Sequence, residues 1–442
     1  MTHGCHVGHW IQALLEGEVL DAGVRREIAD FLTQTATACD EPLSELFRPR
    51  PQAYGGILES ALASLEEQAH QLERMAQEAD RDLTDLMRAV PAERRLKVHR
   101  ALARFRSPLL VERLVEECRR QVTVDPFEAY ELASLARDVA LRVPHSVWGA
   151  APAMTALALA TAFQGNALRA AGDLRGAQPL LDFALSLFLD QGDLDPLVEA
   201  ELHHLAALLC RDGRRIAAAE EHLYRAREIY LECGEDEALA RLLISQATTE
   251  CEDGRVEAAL RTTEEALRHI DHLSDPRLSL MAEHNLTSYL QHLGRFAEAE
   301  ARLGANAALY EQFPEAWTQR RRRWLEARIA RGLGRVDQAE RAFLTLREEL
   351  LSQGLGYDAA LAGLELALVH LQLGRGDKVR RLAEEMVPIF LAQDIGREAM
   401  AALLLFAEAA VRDSATTTMV LELIGFLERT PRSVQRRGCG RG

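Results

Sequence analysis

Residues whose type and spacing could do chemistry fall in three places in this sequence. Near the N-terminus, His3, Cys5, His6, His9 and Cys39 are side chains of the kind that ligate Zn²⁺. No CxxC pair accompanies them, and a metal-free helical segment is the preferred reading of residues 1–50. His203-His204 and the pair His269 and His272 fall on helical stretches, where imidazoles are usually surface or core-edge groups. The third place is the run Arg320 to Arg323 followed by Trp324. Guanidinium forks bind carboxylates bidentately and an indole supplies an apolar anchor, so this run suits an acidic peptide. There is no GxSxG, no Gly-Lys-Ser/Thr phosphate loop, no HExxH and no GxGxxG opening a βαβ unit. The expectation is a non-enzyme with no catalytic residue, no cofactor and no bound metal.

Composition points the same way. The chain has 442 residues, of which 48% are hydrophobic and 27% charged, enough apolar mass for a core and too much for wholesale disorder. A formal charge of −16 repels phosphate, which disfavours nucleic acid and anionic membrane as partners. Lys97 and Lys378 are the only lysines beside fifty arginines, a bias of coding sequence that suggests a GC-rich bacterial source. Aromatic residues make up 5%, against a β-sandwich or a base-stacking platform. Seven cysteines without paired spacing fit a reducing compartment, and no secretory leader is visible, so a cytoplasmic location is expected. The charge-free stretch Val147 to Leu168 contains Pro152, Gln164 and Asn166 and reads as a buried helix, not a membrane span.

The elements that must position any site repeat with a fixed period. Gly172, Gly213, Gly254, Gly294, Gly334 and Gly374 recur at 40 or 41 residues, in the contexts GDLRGA, GRRIAA, GRVEAA, GRFAEA, GRVDQA and GRGDKV. Seven residues before each stands a small residue: Gly165, Ala206, Ala247, Thr287, Ala327 and Ala367. Turn signals recur half a period later at Gly192, Gly234, Asp275-Pro276, Pro314 and Gly354. Each unit is therefore two amphipathic helices joined by a tight turn, and the small residues let their backbones approach. The second unit is one residue out of step at Ile216 and Ala226.

The stretch Gly165 to Leu187, GNALRAAGDLRGAQPLLDFALSL, resembles a tetratricopeptide repeat in its Gly165-Asn166, Gly172-Asp173, Ala177 and Ala184-Leu185. Six such units cover about residues 151–394, with a period longer than the family's usual 34. The resemblance implies an all-α, TPR-like right-handed helical-repeat solenoid whose first helices line a concave groove. By the family's pattern, groove positions lie 13, 10, 6, 3 and 2 residues before each turn glycine. That places Asn166, Arg169, His203, Arg211, Arg241, His284, Ser288, Gln291, His292, Arg321, Trp324, Arg328 and Arg331 there, with Thr248 and Glu252 in the third unit. In the sixth unit the same positions are apolar: Leu361, Leu364, Leu368 and Leu371. These leucines would take an apolar side chain of a ligand or pack on capping helices.

Flanking the repeats, residues 395–430 read as a capping helix pair, with Ala401, Leu404, Leu405, Leu421, Ile424 and Leu427 inward, and 431–442 as a disordered basic tail. Residues 57–143 hold helical pairs and a heptad seam of Leu58, Leu62, Leu65, Ala69, Leu72, Ala76, Ala79, Leu83, Leu86 and Val90. The seam suits either a homodimeric coiled coil through 58–90 or a long helix packed on its own domain. Leu14 to Leu32 is similar to the helical part of zinc-containing anti-sigma domains, but Thr35 and Pro42 stand where that family has ligands. The expected function is a non-catalytic scaffold or adaptor that binds a protein or peptide with an acidic segment in a partly basic groove. The alternatives are a signalling or transcription regulator whose N-terminal module holds the effector, and a non-catalytic subunit of a defence or protease assembly.

Overall fold

The computed structural model describes residues 51–101, 104–190, 195–271, 275–391 and 397–429. The His3/Cys5/His6/His9/Cys39 cluster, the Leu14–Leu32 stretch and the basic tail lie outside the described residues. The described residues form 20 α-helices and no strand. The chain divides into two compact units, Met1–Arg88 and Ala89–Gly442. In the first, α1 (Pro51–Met87) is one helix of 37 residues that carries the heptad seam as far as Leu86. Val90, expected to extend the seam, is instead extended at φ −64° and ψ 147°. The residue before a proline is pushed out of the α region, here by Pro91.

In the second unit, α2 (Pro91–Arg100), α3 (Pro108–Gln121), α4 (Pro126–Ala140) and the short α5 (His145–Trp148) lead into seven helix pairs. These are α6 (Ala150–Ala170) with α7 (Leu174–Asp190), α8 (Pro196–Asp212) with α9 (Ile216–Cys233), and α10 (Asp236–Glu252) with α11 (Val256–Ala266). Then come α12 (Pro276–His292) with α13 (Phe296–Ala305) and the one-turn α14 (Ala307–Glu311), and α15 (Ala316–Gly332) with α16 (Val336–Ser352). The last two are α17 (Gly356–Gln372) with α18 (Gly376–Leu391), and α19 (Arg397–Val411) with α20 (Thr417–Arg429). Within the repeats the long helices pack on their sequence neighbours, and first helices of consecutive pairs also touch, which makes a solenoid. The charge-free stretch lies in and around α6, most of whose residues are buried. No described helix is long and apolar enough to cross a membrane.

The repeating glycine is explained by its backbone. Gly172, Gly254, Gly294, Gly334 and Gly374 have φ between 67° and 86°, the left-handed region that a Cβ disfavours. The next residue closes the helix by donating its N–H five residues back, as Asp173 does to Leu168 O (2.9 Å) and Arg255 to Glu250 O (2.8 Å). In the second unit Gly213 keeps a φ of −81° and Arg214 takes the left-handed place at φ 59°. Arg215 N–H still closes onto Cys210 O at 2.8 Å. The one-residue offset in the sequence is thus a real displacement of the turn, and Ala219 packs at the buried position. The turn of the α19–α20 pair has no glycine, yet Asp413 adopts φ 53° and Ser414 N–H reaches Ala409 O at 2.8 Å. Arg214→Gly should raise stability by about 1 kcal/mol, because glycine removes the left-handed penalty. A urea midpoint at or below that of the parent would show that the Arg214 side chain outweighs the strain.

The arginine after the glycine has its own reason. Arg255 donates to Glu220, Arg335 to Glu300 and Arg375 to Glu340, in each case on the second helix of the preceding pair. Arg215 does the same to Gln178 Oε1 at 2.5 Å. Each such exposed tie contributes below about 1 kcal/mol, but they recur from turn to turn. At Gly165 a Cβ would come within 3.2 Å of Ala177 O and Leu181 Cγ, so a side chain there would make α7 give way by a few tenths of an ångström.

The terminal pair corrects the expected inward face. Ala401, Leu404, Leu405 and Leu421 are exposed, whereas Leu403, Phe406 and Ala410 of α19 and Val420, Leu423, Ile424 and Leu427 of α20 are buried. Consecutive leucines at 403–405 allow two helix faces, and placing Phe406 inside selects the face that carries Leu403 and Ala410. Leu361, Leu364 and Leu368 belong to the same core cluster, so Leu364 and Leu368 pack under the cap and do not face a ligand.

Candidate functional site

The groove positions of the first repeats are tied to one another. Asn166 is buried and its Oδ1 accepts from Arg169 Nε at 2.9 Å. Arg169 Nη1 reaches Asp212 Oδ2 at 2.5 Å, and Arg211 Nη2 reaches the other oxygen of Asp212 at 2.8 Å. Arg211 also lies 3.7 Å from Glu252, and Arg241 pairs with Glu237 on its own helix. Burial pulls Arg169 below the usual guanidinium range and Asp212 restores part of it. These arginines, expected to face a ligand, are neutralised by neighbouring carboxylates.

His203 is turned away from the groove. Its Nδ1 lies 2.8 Å from His222 Nδ1 on α9, the partner helix of its own pair. The displaced turn explains this: counted from Arg214, the groove positions are Glu201, His204, Arg211 and Asp212. Glu201 and His204 indeed form a buried network between pairs. Arg119 Nη1 donates to Glu201 Oε1 (3.0 Å), Tyr230 Oη donates to Glu201 Oε2 (3.3 Å), and His204 Nε2 meets Ser245 Oγ (2.8 Å). Burial opposes ionisation of Glu201, and the charge and hydrogen bond of Arg119 outweigh it, holding the carboxyl below its usual range.

Burial pushes His204 down to about 4, with Glu201 opposing, and His203 to about 4 beside His222. A histidine depressed in the fold is neutral there while the unfolded chain protonates near 6.5. Its contribution is therefore complete above pH 6.5 and is lost as pH falls from 6.5 toward 4. From His204 alone, stability should drop by about 2 kcal/mol between pH 7 and pH 5. The gap between the urea midpoints at the two pH values should narrow by that amount in His204→Asn, leaving the part that His203 and His284 contribute. An equal drop in that variant would remove His204 as the cause.

The groove positions of the fourth to sixth repeats do come together, around a cavity of about 520 Å³. Its walls are His284, Ser288 and His292 of α12; Trp317, Arg320, Arg321, Trp324, Leu325 and Arg328 of α15; Leu350 of α16; and Asp358 and Leu361 of α17. The four arginines of the run diverge around α15. Arg320 donates to Gln353, Arg322 Nε to Glu326 Oε1 (2.9 Å), and Arg323 to both oxygens of Glu349 (2.7 and 2.6 Å). Arg321 lies over the Trp317 ring, 4.8 Å from its centroid, and no described carboxylate pairs with it. Burial pulls it below the usual guanidinium range, with Tyr310 and Tyr289 offsetting little.

Behind this wall, Glu365 of α17 is 1% exposed and accepts from Arg328 Nε at 2.5 Å, with Arg331 Nη2 at 3.7 Å from its other oxygen. Arg331 therefore backs the cavity and does not line it. Trp324 packs edge-on against Phe343 with centroids 6.1 Å apart, and Arg328 lies over its other side at 5.9 Å. His284 Nδ1 meets Tyr310 Oη at 2.7 Å. Burial, with Arg321 and Arg328 alongside, holds His284 well below the usual imidazole range, so it is neutral. His292 Nδ1 lies 3.8 Å from Cys251 Sγ, and Gln291 is buried with no partner for its Oε1.

Sequence reasoning missed Trp317, Leu350, Asp358 and the buried Glu365. Trp317 had a signal, since it stands four residues before Arg321 on the same helix face. Asp358 and Glu365 had none, because their nearness to α15 depends on how consecutive pairs stack. Among the described residues no group of three or more His, Cys, Asp or Glu is arranged to hold a metal.

No family model matches the sequence, and no curated protein matches it. Solved structures do. A Rap protein complexed with competence and sporulation factor superposes with a TM-score of 0.53 and 14% identity, over 73% of this chain and 87% of that one. A STAND protein with a tetratricopeptide repeat sensor, from Pyrococcus horikoshii, gives 0.52 and 14%, over 77% of this chain and 52% of its own length. At such identity the likeness carries the fold, a TPR-like helical-repeat solenoid.

Proposed function

We propose that this protein is a non-catalytic binding protein whose α12–α15–α17 cavity holds an acidic segment of a partner protein. The observation that carries this reading is Arg321: a guanidinium drawn out of water, stacked on Trp317, facing a cavity and paired with no described carboxylate. Every other arginine of the run has an acceptor within the protein. An unpaired, desolvated cation is costly unless a ligand completes it. Trp317, 57% exposed at the rim, supplies the rigid aromatic anchor usual at interface hot spots. The protein as a whole is acidic, so a bound acidic segment would be steered locally and weakened by salt.

A regulator is the second reading, favoured by the separate N-terminal unit and by the fold shared with a Rap protein complexed with competence and sporulation factor. In that case the cavity senses a ligand and residues 1–88 engage an effector. Affinity capture of the tagged protein from its host, beside Arg321→Glu and a variant lacking residues 1–88, separates the two. The scaffold reading expects its main partner to be lost with Arg321→Glu and kept by the truncation. Loss with the truncation alone would contradict it and favour the regulator.

A further inference from the structure

A thiol and an imidazole meet on the groove beside the cavity. Cys251 lies on α10, three residues before the turn glycine Gly254, which is a groove position, and it is half-buried. Its Sγ lies 3.8 Å from Nδ1 of His292, an exposed residue of α12 that forms part of the cavity wall. The two come from consecutive repeats, so the pair is made by the stacking of the solenoid. The carboxylates on either side of Cys251 are already engaged. Glu252 is met by Arg211 (3.7 Å) and Arg214 (3.5 Å), and the buried Glu250 accepts from Thr262 Oγ1 (2.8 Å) and Gln246 Nε2 (3.0 Å). The other described cysteines are placed differently. Cys118 is fully buried, donates to Ala129 O at 3.2 Å, and burial pushes its thiol up to about 12. Cys210 is buried and pushed up for the same reason. Cys233 is exposed at the end of α9, where partial burial and the carboxylates Asp195, Glu235 and Glu232 push it up. None of these four described cysteines forms a disulfide.

We infer that Cys251 is a site of reversible thiol modification by a small disulfide, and that the adduct closes the α12 side of the cavity to the partner. The closure rests on the reading of this cavity as the partner site; the reactivity does not. A thiol reacts as its thiolate, and an imidazole within reach supplies the base. His292 Nδ1 takes the proton of the Cys251 thiol. The thiolate attacks one sulfur of the disulfide, the bond to Cys251 Sγ forms as the reagent's own S–S bond breaks, and the departing thiolate takes a proton back from the imidazolium. Cys251 is oxidised to a mixed disulfide and the other half of the reagent is reduced to a thiol, so atoms and electrons balance. A reducing thiol reverses the step by the same exchange. An adduct of tripeptide size, bonded beside a residue of the cavity wall, stands where a segment lying along α10 and α12 would pass.

Oxidised glutathione at neutral pH, added to the full-length protein with each cysteine followed by peptide mass spectrometry, tests the reactivity. Cys251 should react about tenfold or more faster than Cys233, the more exposed of the two. His292→Gln, which keeps a polar group beside the thiol but removes the base, should bring Cys251 to within about threefold of Cys233. A Cys251 rate no greater than that of Cys233 in the parent overturns the proposal, and so does a rate unchanged in His292→Gln. Affinity capture of the partner from the host then tests the closure. The glutathione adduct should retain at least about tenfold less partner than the reduced protein, and dithiothreitol should restore it. Cys251→Ser treated in the same way should lose nothing. Equal retention by the adduct, or an equal loss in treated Cys251→Ser, overturns the closure. Failure of the partner-site reading itself is seen separately, as retention of the partner by unmodified Arg321→Glu.

Discussion

Arg321→Glu should lower affinity for the natural partner by about 100-fold or more and shift the thermal midpoint little. Reversing the charge removes the cation that a ligand carboxylate would meet and adds a repulsive one in a partly desolvated cavity. Truncating a buried interfacial charge partner typically costs about 2–5 kcal/mol, and 100-fold corresponds to about 2.7 kcal/mol. Stability is spared because Arg321 has no internal carboxylate to lose, only its stacking on Trp317. Arg323→Glu is the matched control: its side chain is held by Glu349 on the flank of α15, away from the cavity lining. It should cost stability and leave affinity within about threefold. Isothermal titration of both variants against the captured partner decides the matter, and equal losses of affinity would remove the cavity from the account.

Glu365→Ala should destabilise the fold by about 3–5 kcal/mol, the usual cost of removing one partner from a buried ion pair. Glu365 is the carboxylate that faces Arg328 and Arg331 across the α15–α17 contact, and the side chains of Arg328, Arg331 and Glu365 are nearly buried, at 12%, 11% and 1% exposed. Without it two guanidinium groups stand together in low dielectric. Arg331 has the poorer geometry, and its Nε is buried without a partner. The double variant Glu365→Ala/Arg331→Met should therefore recover more than half of the loss, because the like-charge contact is gone. Urea denaturation of the single and double variants measures this. A single variant within about 1 kcal/mol of the parent would mean that water, not Glu365, solvates the two arginines.

The fold was legible because its determinants are local and repeated. A left-handed turn every 40 residues needs a glycine, two close helices need a small residue, and both leave marks at fixed positions in the sequence. The mark failed where chemistry other than glycine satisfied the same turn. Arg214 and Asp413 accept left-handed backbone, so the second unit was registered one residue early and the last pair looked like an unpatterned cap. That single residue moved the expected groove position from Glu201 and His204 to His203. The site was half legible. His284, His292, Arg321, Trp324 and Arg328 meet in one cavity, because helix period alone puts them on one face of α12 and α15. Which arginines are already neutralised was not legible. Asp212, Glu349 and Glu365 sit 26 to 43 residues from Arg169, Arg323 and Arg328, on helices brought near only by stacking.

The central claim is that a partner occupies the cavity beside Trp317. The most direct measurement replaces Trp317 with a photo-crosslinking phenylalanine analogue in the host and irradiates the cells, with the same analogue at exposed Tyr224 of α9 as reference. One dominant crosslinked protein is expected from position 317, absent from position 224, and lost when Arg321→Glu is added. The crosslinked segment should be acidic. A crosslinked set that is the same at both positions, or that survives Arg321→Glu, would contradict the claim.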